Sequence, residues 1–331
     1  MPEIQLNKLN TILNDLQGKR VVVLGDLMID EYLWGKVRRL SPEAPVPIVA
    51  LEKEALRFGG AANVALNLQT LGVKPVLLGL VGEDRMGDNF FNLLQQNHLS
   101  HDGIITASDR PTTVKTRIIG ETQHLARVDR EVNAYIDDYT ADEIIKRFEK
   151  LIEGADAVIY EDYNKGVLNK KVIRETIRLA EDRKIITSVD PKFINFMEYQ
   201  RVTLFKPNIK EAARALAAVI ETDEDIQKAG FQLMEQLSSQ HLLLTLGSRG
   251  IMLFNRSGKI NHIPTKTRKV ADVSGAGDTV ISMMTAALCG GASFYEAAYL
   301  ANFAAGIVCE EVGVVPINIE TLKARIAKEG G

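Results

Sequence analysis

The chain has 331 residues, of which 46% are hydrophobic and 25% charged. Those proportions exclude fibrous, disordered and membrane-spanning classes, and the length allows one large α/β domain or two modest ones, each able to bury a core. Lys and Arg number 40 against 43 Asp and Glu, a net charge of −3. Without a basic cluster, neither nucleic acid nor an anionic membrane is expected as the main partner.

Met1–Lys8 lacks the apolar core of a secretory signal, which together with the composition predicts a cytoplasmic protein. Arg20–Gly25 (RVVVLG) has too little polar alternation for a half-exposed strand and reads as one buried on both faces. Similar runs follow at Lys74–Gly79, Ala155–Tyr160, Ile185–Val189, Val202–Phe205 and His241–Leu246. Helical periodicity lies between them, at Ala61–Leu71, Arg85–Asn97, Thr140–Glu153, Lys170–Arg183, Ile209–Val219 and Asp223–Ser238. This alternation predicts a doubly wound, mostly parallel sheet with helices on both faces. Residues 31–58, with three prolines, and 104–129, which carries the strands Thr113–Ile119 and Gln123–Asp129 around Gly120-Glu121-Thr122, break the rhythm. Both suit half-exposed antiparallel strands, so a small β-sheet is expected as an insertion into one domain spanning 1–331. From Gly275 on, the chain reads as helical. The uncharged run Thr279–Tyr295 contains Gly290-Gly291 and suits a buried helix and its turn better than a membrane span. Cys289 and Cys309 lack metal-ligand spacing and read as packed thiols, and the five histidines form no metal pattern.

The most informative stretch is Asp272-Val-Ser-Gly-Ala-Gly-Asp-Thr279, which runs straight into an apolar helix. A glycine-rich turn there aims backbone N–H groups, with the helix dipole behind them, at an anion such as phosphate. Asp278 is then either a base that deprotonates an attacking hydroxyl or an ordinary acidic residue in a first helical turn. No P-loop and no Gly-x-Gly-x-x-Gly fingerprint occurs. Carboxylates after the first strand, Asp26 and Asp30, stand where open α/β sheets present groups to ligands. Gly59 and Gly60 permit close backbone approach, and Asn63 both donates and accepts hydrogen bonds. Lys115 and Arg117 alternate along one predicted strand and share a face, with Arg127 opposite, as a cationic patch for a phosphorylated substrate or merely solvated charge. Asp162 and Lys165 follow a strand, as Lys192 follows Asp190-Pro191.

Gly25-Asp26, Gly59-Gly60-Ala-Ala-Asn63 and the Asp272–Asp278 run, in that order, resemble the ribokinase-type sugar kinases, also called the phosphofructokinase-B family. Leu40–Ile48 (LSPEAPVPI), Arg57–Ala65 and Asp162-Tyr-Asn-Lys-Gly166 are similar to the D-glycero-β-D-manno-heptose 7-phosphate kinases of lipopolysaccharide biosynthesis. In that group the kinase occurs alone or fused to a C-terminal nucleotidyltransferase, of which the residues up to Gly331 show no sign. The resemblance implies a ribokinase-like fold with a β lid over the sugar, ATP as donor, and Mg²⁺. It places the catalytic base at Asp278 and the anion hole at Gly275, Ala276 and Gly277. Asn208 and Glu211 match an Asn-x-x-Glu element near Mg²⁺–ATP, holding the ion through water or forming a helix cap. Thr245–Gly250, with Gly247 and Gly250, resembles a nucleotide-side loop. Asn302 falls beside the adenine, and Lys192 is expected on the nucleotide side. Apolar lid residues Leu33, Trp34, Val46 and Ile48, with Tyr32, predict packing or a homodimer closed lid to lid. Alternative readings are a kinase for another sugar or sugar phosphate, such as fructose 1-phosphate, and a silent sugar or nucleotide sensor on the same scaffold.

Overall fold

The computed structural model describes residues 6–121, 123–265 and 270–329; Thr122, in the expected lid turn, lies outside them. Strand β1 (Arg20–Gly25) is central to the main sheet and pairs in parallel with β4 (Lys74–Gly82) and β8 (Ala157–Glu161). On one flank β9 (Ile186–Asp190), β10 (Leu204–Phe205) and β11 (His241–Thr245) continue the parallel order. Two antiparallel strands, β12 (Ile251–Asn255) and β13 (Ile260–Ile263), extend that edge. These two strands lie beyond the runs expected from the sequence.

Alternation along β1 explains the layers. Val21 and Val23 pack into one core with α1 (Leu6–Asp15), α2 (Ala61–Thr70), α3 (Arg85–Gln96), α8 (Ala276–Cys289), α9 (Phe294–Val308) and α10 (Ile319–Glu329). Val22 and Leu24 face the opposite core with α4 (Asp138–Leu151), α5 (Lys170–Asp182), α6 (Ile209–Ala215) and α7 (Asp223–Leu237). A strand whose successive side chains point to opposite faces must be apolar at every position when both faces are covered, as RVVVLG is. The helix expected over Ile209–Val219 stops at Ala215, and Ala217 just beyond it adopts a φ of 47°. No helix among the described residues is long and apolar enough to cross a membrane.

The lid is a second sheet, ordered β3 (Pro47–Gly60), β2 (Leu27–Leu40), β6 (Thr113–Gly120) and β7 (Gln123–Arg130). It departs from expectation in three ways. Residues Ile104–Ala107 are not part of it: as β5 they pair in parallel with Gly79–Gly82 at the edge of the main sheet. The inner pair β2–β6 is parallel, so the lid sheet is mixed where an antiparallel one was expected. The lid also begins only one residue after Asp26, which places Asp30 within a lid strand and not at the end of β1.

Where lid strand β3 meets α2, Gly60 serves as the N-cap with a φ of 56°. A Cβ there would sit 2.5 Å from the Asp26 carbonyl oxygen, which accepts the Ala61 N–H. Only glycine satisfies both demands. Buried Asn67 then braces α2: its amide donates to the Asn63 carbonyl at 2.9 Å, and its oxygen accepts Ile317 N–H at 3.1 Å.

Candidate active site

Parallel strands that end together bring their last residues to one edge, the usual ligand side of an open α/β sheet. Here that edge is strongly acidic. Glu161 and Asp190, the final residues of β8 and β9, are register partners. The N-terminus of α8 lies across them, held by Gly275, whose φ of 78° turns the chain into the helix. The result is a buried cluster in which carboxylate oxygens of Glu161, Asp190 and Asp278 lie within 4.8 Å of one another.

Asp278 is only 4% exposed. Its Oδ2 accepts from Asn63 Nδ2 at 2.7 Å and its Oδ1 from the Tyr163 hydroxyl at 2.9 Å. Burial raises its pKa to about 6, aided by Asp190 and opposed by the two donors and Lys206. A carboxyl raised in this way contributes stability that is fully present below its unfolded value near 3.8 and is lost as pH rises through about 6. The native state therefore carries a cost at neutral pH to keep an ionised base under the α8 N-terminus. Gly275, Ala276 and Gly277 immediately precede it at the same helix N-terminus, where the base and anion hole were expected. Burial likewise pushes Glu161 well above the usual carboxylate range, with Asp190 and Asp278 adding to it.

The compensating charge is Lys206, itself 3% exposed, whose Nζ lies 2.7 Å from Asp190 Oδ2. Sequence reasoning missed Glu161, Asp190, Lys206 and Tyr163. The available signal was a charged residue ending or following each buried apolar strand.

Other expected site residues are present at this edge but engaged differently. Asp26 is fully buried and accepts the backbone N–H groups of Tyr163 at 2.7 Å, Lys165 at 3.0 Å and Val167 at 3.4 Å. It organises the loop after β8, so its contact to a ligand is indirect through that loop. Asp162 is turned beneath the site, accepting from the Tyr199 hydroxyl at 2.7 Å and Asn195 at 3.3 Å, and does not face a ligand space. In the lid, Asp30 pairs with Arg117 at 2.5 Å, and the Arg117 guanidinium lies over the Tyr32 ring. A Cβ on Gly59 would meet Asp30 Oδ2 at 2.9 Å, so the first glycine makes room for that pair. Lys115 and Lys165 share Glu131, at 3.4 and 2.8 Å, while exposed Arg127 pairs with Asp129. The lid cations thus form an ion-paired network, not a free cationic patch. Tyr32 is buried and stacked on Trp34, with its hydroxyl accepting Val314 N–H.

On the other flank, Asn208 and Glu211 form a capping box at the start of α6. Glu211 also binds Lys192 at 3.0 Å. Burial opposes the charge on Lys192, but Asp190 and Glu211 outweigh it and hold its pKa above the ordinary lysine value. Thr245 ends β11 and bridges to Asn208, placing the Gly247–Gly250 loop beside α6. Asn302 Nδ2 donates to the Pro264 carbonyl at 3.0 Å, fastening α9 to the loop after β13.

A match to the model described as pfkB family carbohydrate kinase covers residues 19–321. The chain belongs to the pfkB family of carbohydrate kinases. It is thus an ATP-dependent sugar kinase by class. Among its curated relatives, the bifunctional protein HldE of Desulfatibacillum aliphaticivorans is 39% identical over 93% of this chain and 63% of its own length. The HldE of Hyphomonas neptunium is 36% identical over 98% and 67%. The chain therefore spans about two thirds of the length of these relatives. In fold, Escherichia coli phosphofructokinase-2 in complex with fructose-6-phosphate matches with a TM-score of 0.77, at 16% identity, over 94% of this chain and all of that one. Arabidopsis thaliana ribokinase complexed with ribose and ATP matches with a TM-score of 0.73, at 18% identity, over 93% and 99%. The pfkB fold accounts for both the main sheet and the lid.

A divalent cation implied by this family finds its better-suited donors at Glu161 and Asp190. Both Glu161 oxygens are fully buried without a hydrogen-bond partner. Oxygen-rich acidic sites suit a hard cation, and an unpaired buried carboxylate is costly without one. Both Glu211 oxygens are already occupied by Asn208 N–H and Lys192, which leaves that expected ligand pair less suited to direct contact.

Removing one member of a buried ion pair leaves the other uncompensated, at a typical cost of about 3–5 kcal/mol. Replacing Lys206 with Met should lower stability in urea by about that amount at pH 7.5. A midpoint equal to that of the unmodified protein would show that Lys206 is not the counter-charge of this cluster.

Proposed function

We propose that this pfkB kinase transfers the γ-phosphoryl group of ATP to the anomeric hydroxyl of D-glycero-β-D-manno-heptose 7-phosphate. The product is the 1,7-bisphosphate, on the way to ADP-heptose for lipopolysaccharide. One observation carries the chemistry: a buried carboxylate, Asp278, with its pKa raised to about 6, in the first turn of a helix whose glycine-rich N-terminus faces the same space. The choice of heptose phosphate rests on the stretches Leu40–Ile48, Arg57–Ala65 and Asp162–Gly166 and on the HldE relatives.

In this reading the sugar lies between body and lid. Asn63, the Gly59-Gly60 backbone and Asp30 orient its hydroxyls, while Asp26 acts through the 163–167 loop. Lys115, Arg117 and Lys165 exchange part of their pairing with Asp30, Asp129 and Glu131 for the substrate phosphate. ATP lies along Asn208, Lys192, the Thr245–Gly250 loop and the Asn302 side. The attacking oxygen gives its proton to Asp278 as its bond to the γ-phosphorus forms and the bond from phosphorus to ADP breaks. Backbone amides of Gly275, Ala276 and Gly277, backed by the α8 dipole, stabilise the charge that develops. Glu161 and Asp190 would hold Mg²⁺, which when bound would neutralise phosphate charge. Closure of the lid over bound sugar excludes competing water from the filled site. The protein is expected to work in the cytoplasm.

ADP release with Mg²⁺–ATP and a panel of D-glycero-D-manno-heptose 7-phosphate, fructose 1-phosphate, fructose 6-phosphate and ribose should show turnover with the heptose phosphate above all. Preference for another member would overturn the substrate while leaving the phosphoryl-transfer reading.

Asp278→Asn should lower kcat by roughly 10²–10⁴, the span of a lost general base. Because only ionised Asp278 can accept the proton, kcat/KM of the unmodified enzyme should fall about tenfold per pH unit below a limb near pH 6. Near-normal turnover of the variant would remove Asp278 from the chemistry.

The lid exposes Leu40, Val46, Leu51 and Val128, and all of β7 is open to solvent. A second copy closing lid to lid would cover this apolar face. Light scattering at micromolar concentration should report a homodimer, and a monomer would exclude this arrangement.

A further inference from the structure

The mechanism above leaves Tyr163 without a task. Its hydroxyl donates to Asp278 Oδ1 at 2.9 Å, while Asn63 holds Oδ2 at 2.7 Å. Both oxygens of the base are therefore capped, and the cap on Oδ1 is an O–H group, the same donor that an acceptor sugar presents. The position is built with care. Tyr163 N–H is fixed by the buried Asp26 carboxylate at 2.7 Å, and the Lys192 ammonium lies 4.9 Å from the ring centre. Around this contact stand Glu161 at the end of β8, Asp190 at the end of β9, Lys206 after β10, and Asn63 on α2.

We propose that Tyr163 is a positioning residue that latches the catalytic base: its hydroxyl occupies the Asp278 Oδ1 site until the acceptor hydroxyl of the sugar displaces it. The proposal rests on the reading of Asp278 as general base. Its purpose follows from a problem every sugar kinase faces, since water is as small as any acceptor hydroxyl. A water at free Oδ1 would give its proton to Asp278 as its oxygen bonds the γ-phosphorus and the bond from phosphorus to ADP breaks, yielding ADP and inorganic phosphate without sugar. With the phenol in place, Oδ1 of a base that is only 4% exposed already carries a donor, so water must displace the phenol to approach it. The phenol is itself a poor attacker, because burial and the neighbouring Asp278 charge hold its pKa well above the ordinary tyrosine value and keep it protonated. Sugar competes where water does not because many contacts to body and lid offset the loss of this one hydrogen bond.

Tyr163→Phe keeps the ring and its packing and removes only the latch. ADP release from Mg²⁺–ATP without sugar should rise roughly tenfold or more, the scale of one hydrogen bond to a charged group. With sugar, less than one sugar phosphate should form per ADP. KM for the sugar should fall while kcat stays within about a factor of two, because sugar no longer has to displace the phenol. A residue that merely supports the fold would instead raise KM, lower kcat and leave the coupling at one to one. That result, or a sugar-free rate equal to that of the unmodified enzyme in a variant with an unchanged melting temperature, would overturn the latch. Asp278→Asn assayed alongside separates the two readings. If it is inactive while Tyr163→Phe behaves as the unmodified enzyme, only the latch fails. If it retains turnover, the base assignment fails and the latch falls with it.

Discussion

The site depends on holding several carboxyl groups out of water at one edge of a sheet. Glu161, Asp190 and Asp278 share a space a few ångströms wide, and the only ammonium in direct contact with them among the described residues is that of Lys206. Like charges at such distances repel strongly in a medium of low dielectric, so the cluster is tolerable only because other parts of the fold compensate. The α8 N-terminus contributes partial positive charge, Asn63 and Tyr163 donate to Asp278, and Lys206 neutralises Asp190. The same compensation leaves Asp278 able to change protonation near neutrality, which a general base requires. Burial favours the protonated form of Glu161, so a cation arriving there would have to displace its proton.

A second constraint links body to lid through Asp26. The residue stands between the last position of β1 and the first of β2, so its backbone joins the two sheets, while its side chain gathers the loop that carries Tyr163. Its carbonyl oxygen also receives the first N–H of α2, the helix that carries Asn63. One buried aspartate therefore sets the positions of both donors to Asp278. Its close partner, Gly60, is required by backbone geometry, with a φ of 56° and the Asp26 carbonyl oxygen 2.5 Å from where a Cβ would stand. The lid's own charges are arranged differently. Asp30 with Arg117 forms a largely buried pair, whereas Glu131 with Lys115 and Lys165 forms a partly exposed network. A rigidly held carboxylate beside ion-paired lid cations would suit the proposed phosphorylated substrate and its more highly charged product.

Much of this was legible in the chain. Apolar runs such as Val21–Leu24 marked the buried strands, and Gly275–Asp278 marked the turn into α8 with its buried aspartate. The Asp26 and Gly59-Gly60 signals fell at the correct edge, although their work is largely to position other groups. The missed features share a cause. Glu161 and Asp190 are adjacent only through the β8–β9 register, and Lys206 meets them only because β10 joins the same sheet. Periodicity within a window carries no information about such neighbours. Residues Ile104–Ala107 were given to the lid because a short apolar strand has no local sign of which sheet it will join, and β12–β13 lie beyond the last parallel strand, where the alternation with helices has stopped.

The residues that match a family motif and the residues that perform its chemistry are therefore overlapping sets, not identical ones. Asn208 and Glu211 lie in the expected place, yet in this state their oxygens close a helix cap and hold Lys192. Asn302 secures a loop through the Pro264 carbonyl. Each is a polar group whose hydrogen bonds are satisfied within the protein, so a ligand that recruits it must return an equal bond or take one away. Glu161 is in the opposite condition, buried with nothing to return, and gains whatever cation reaches it. The difference sets an order of readiness along the site: the strand-end carboxylates are open to a cation, the nucleotide flank is self-satisfied until displaced, and the base is covered by a phenol. On the proposed roles, a site arranged in that order would be least reactive when empty and become competent as its occupants arrive.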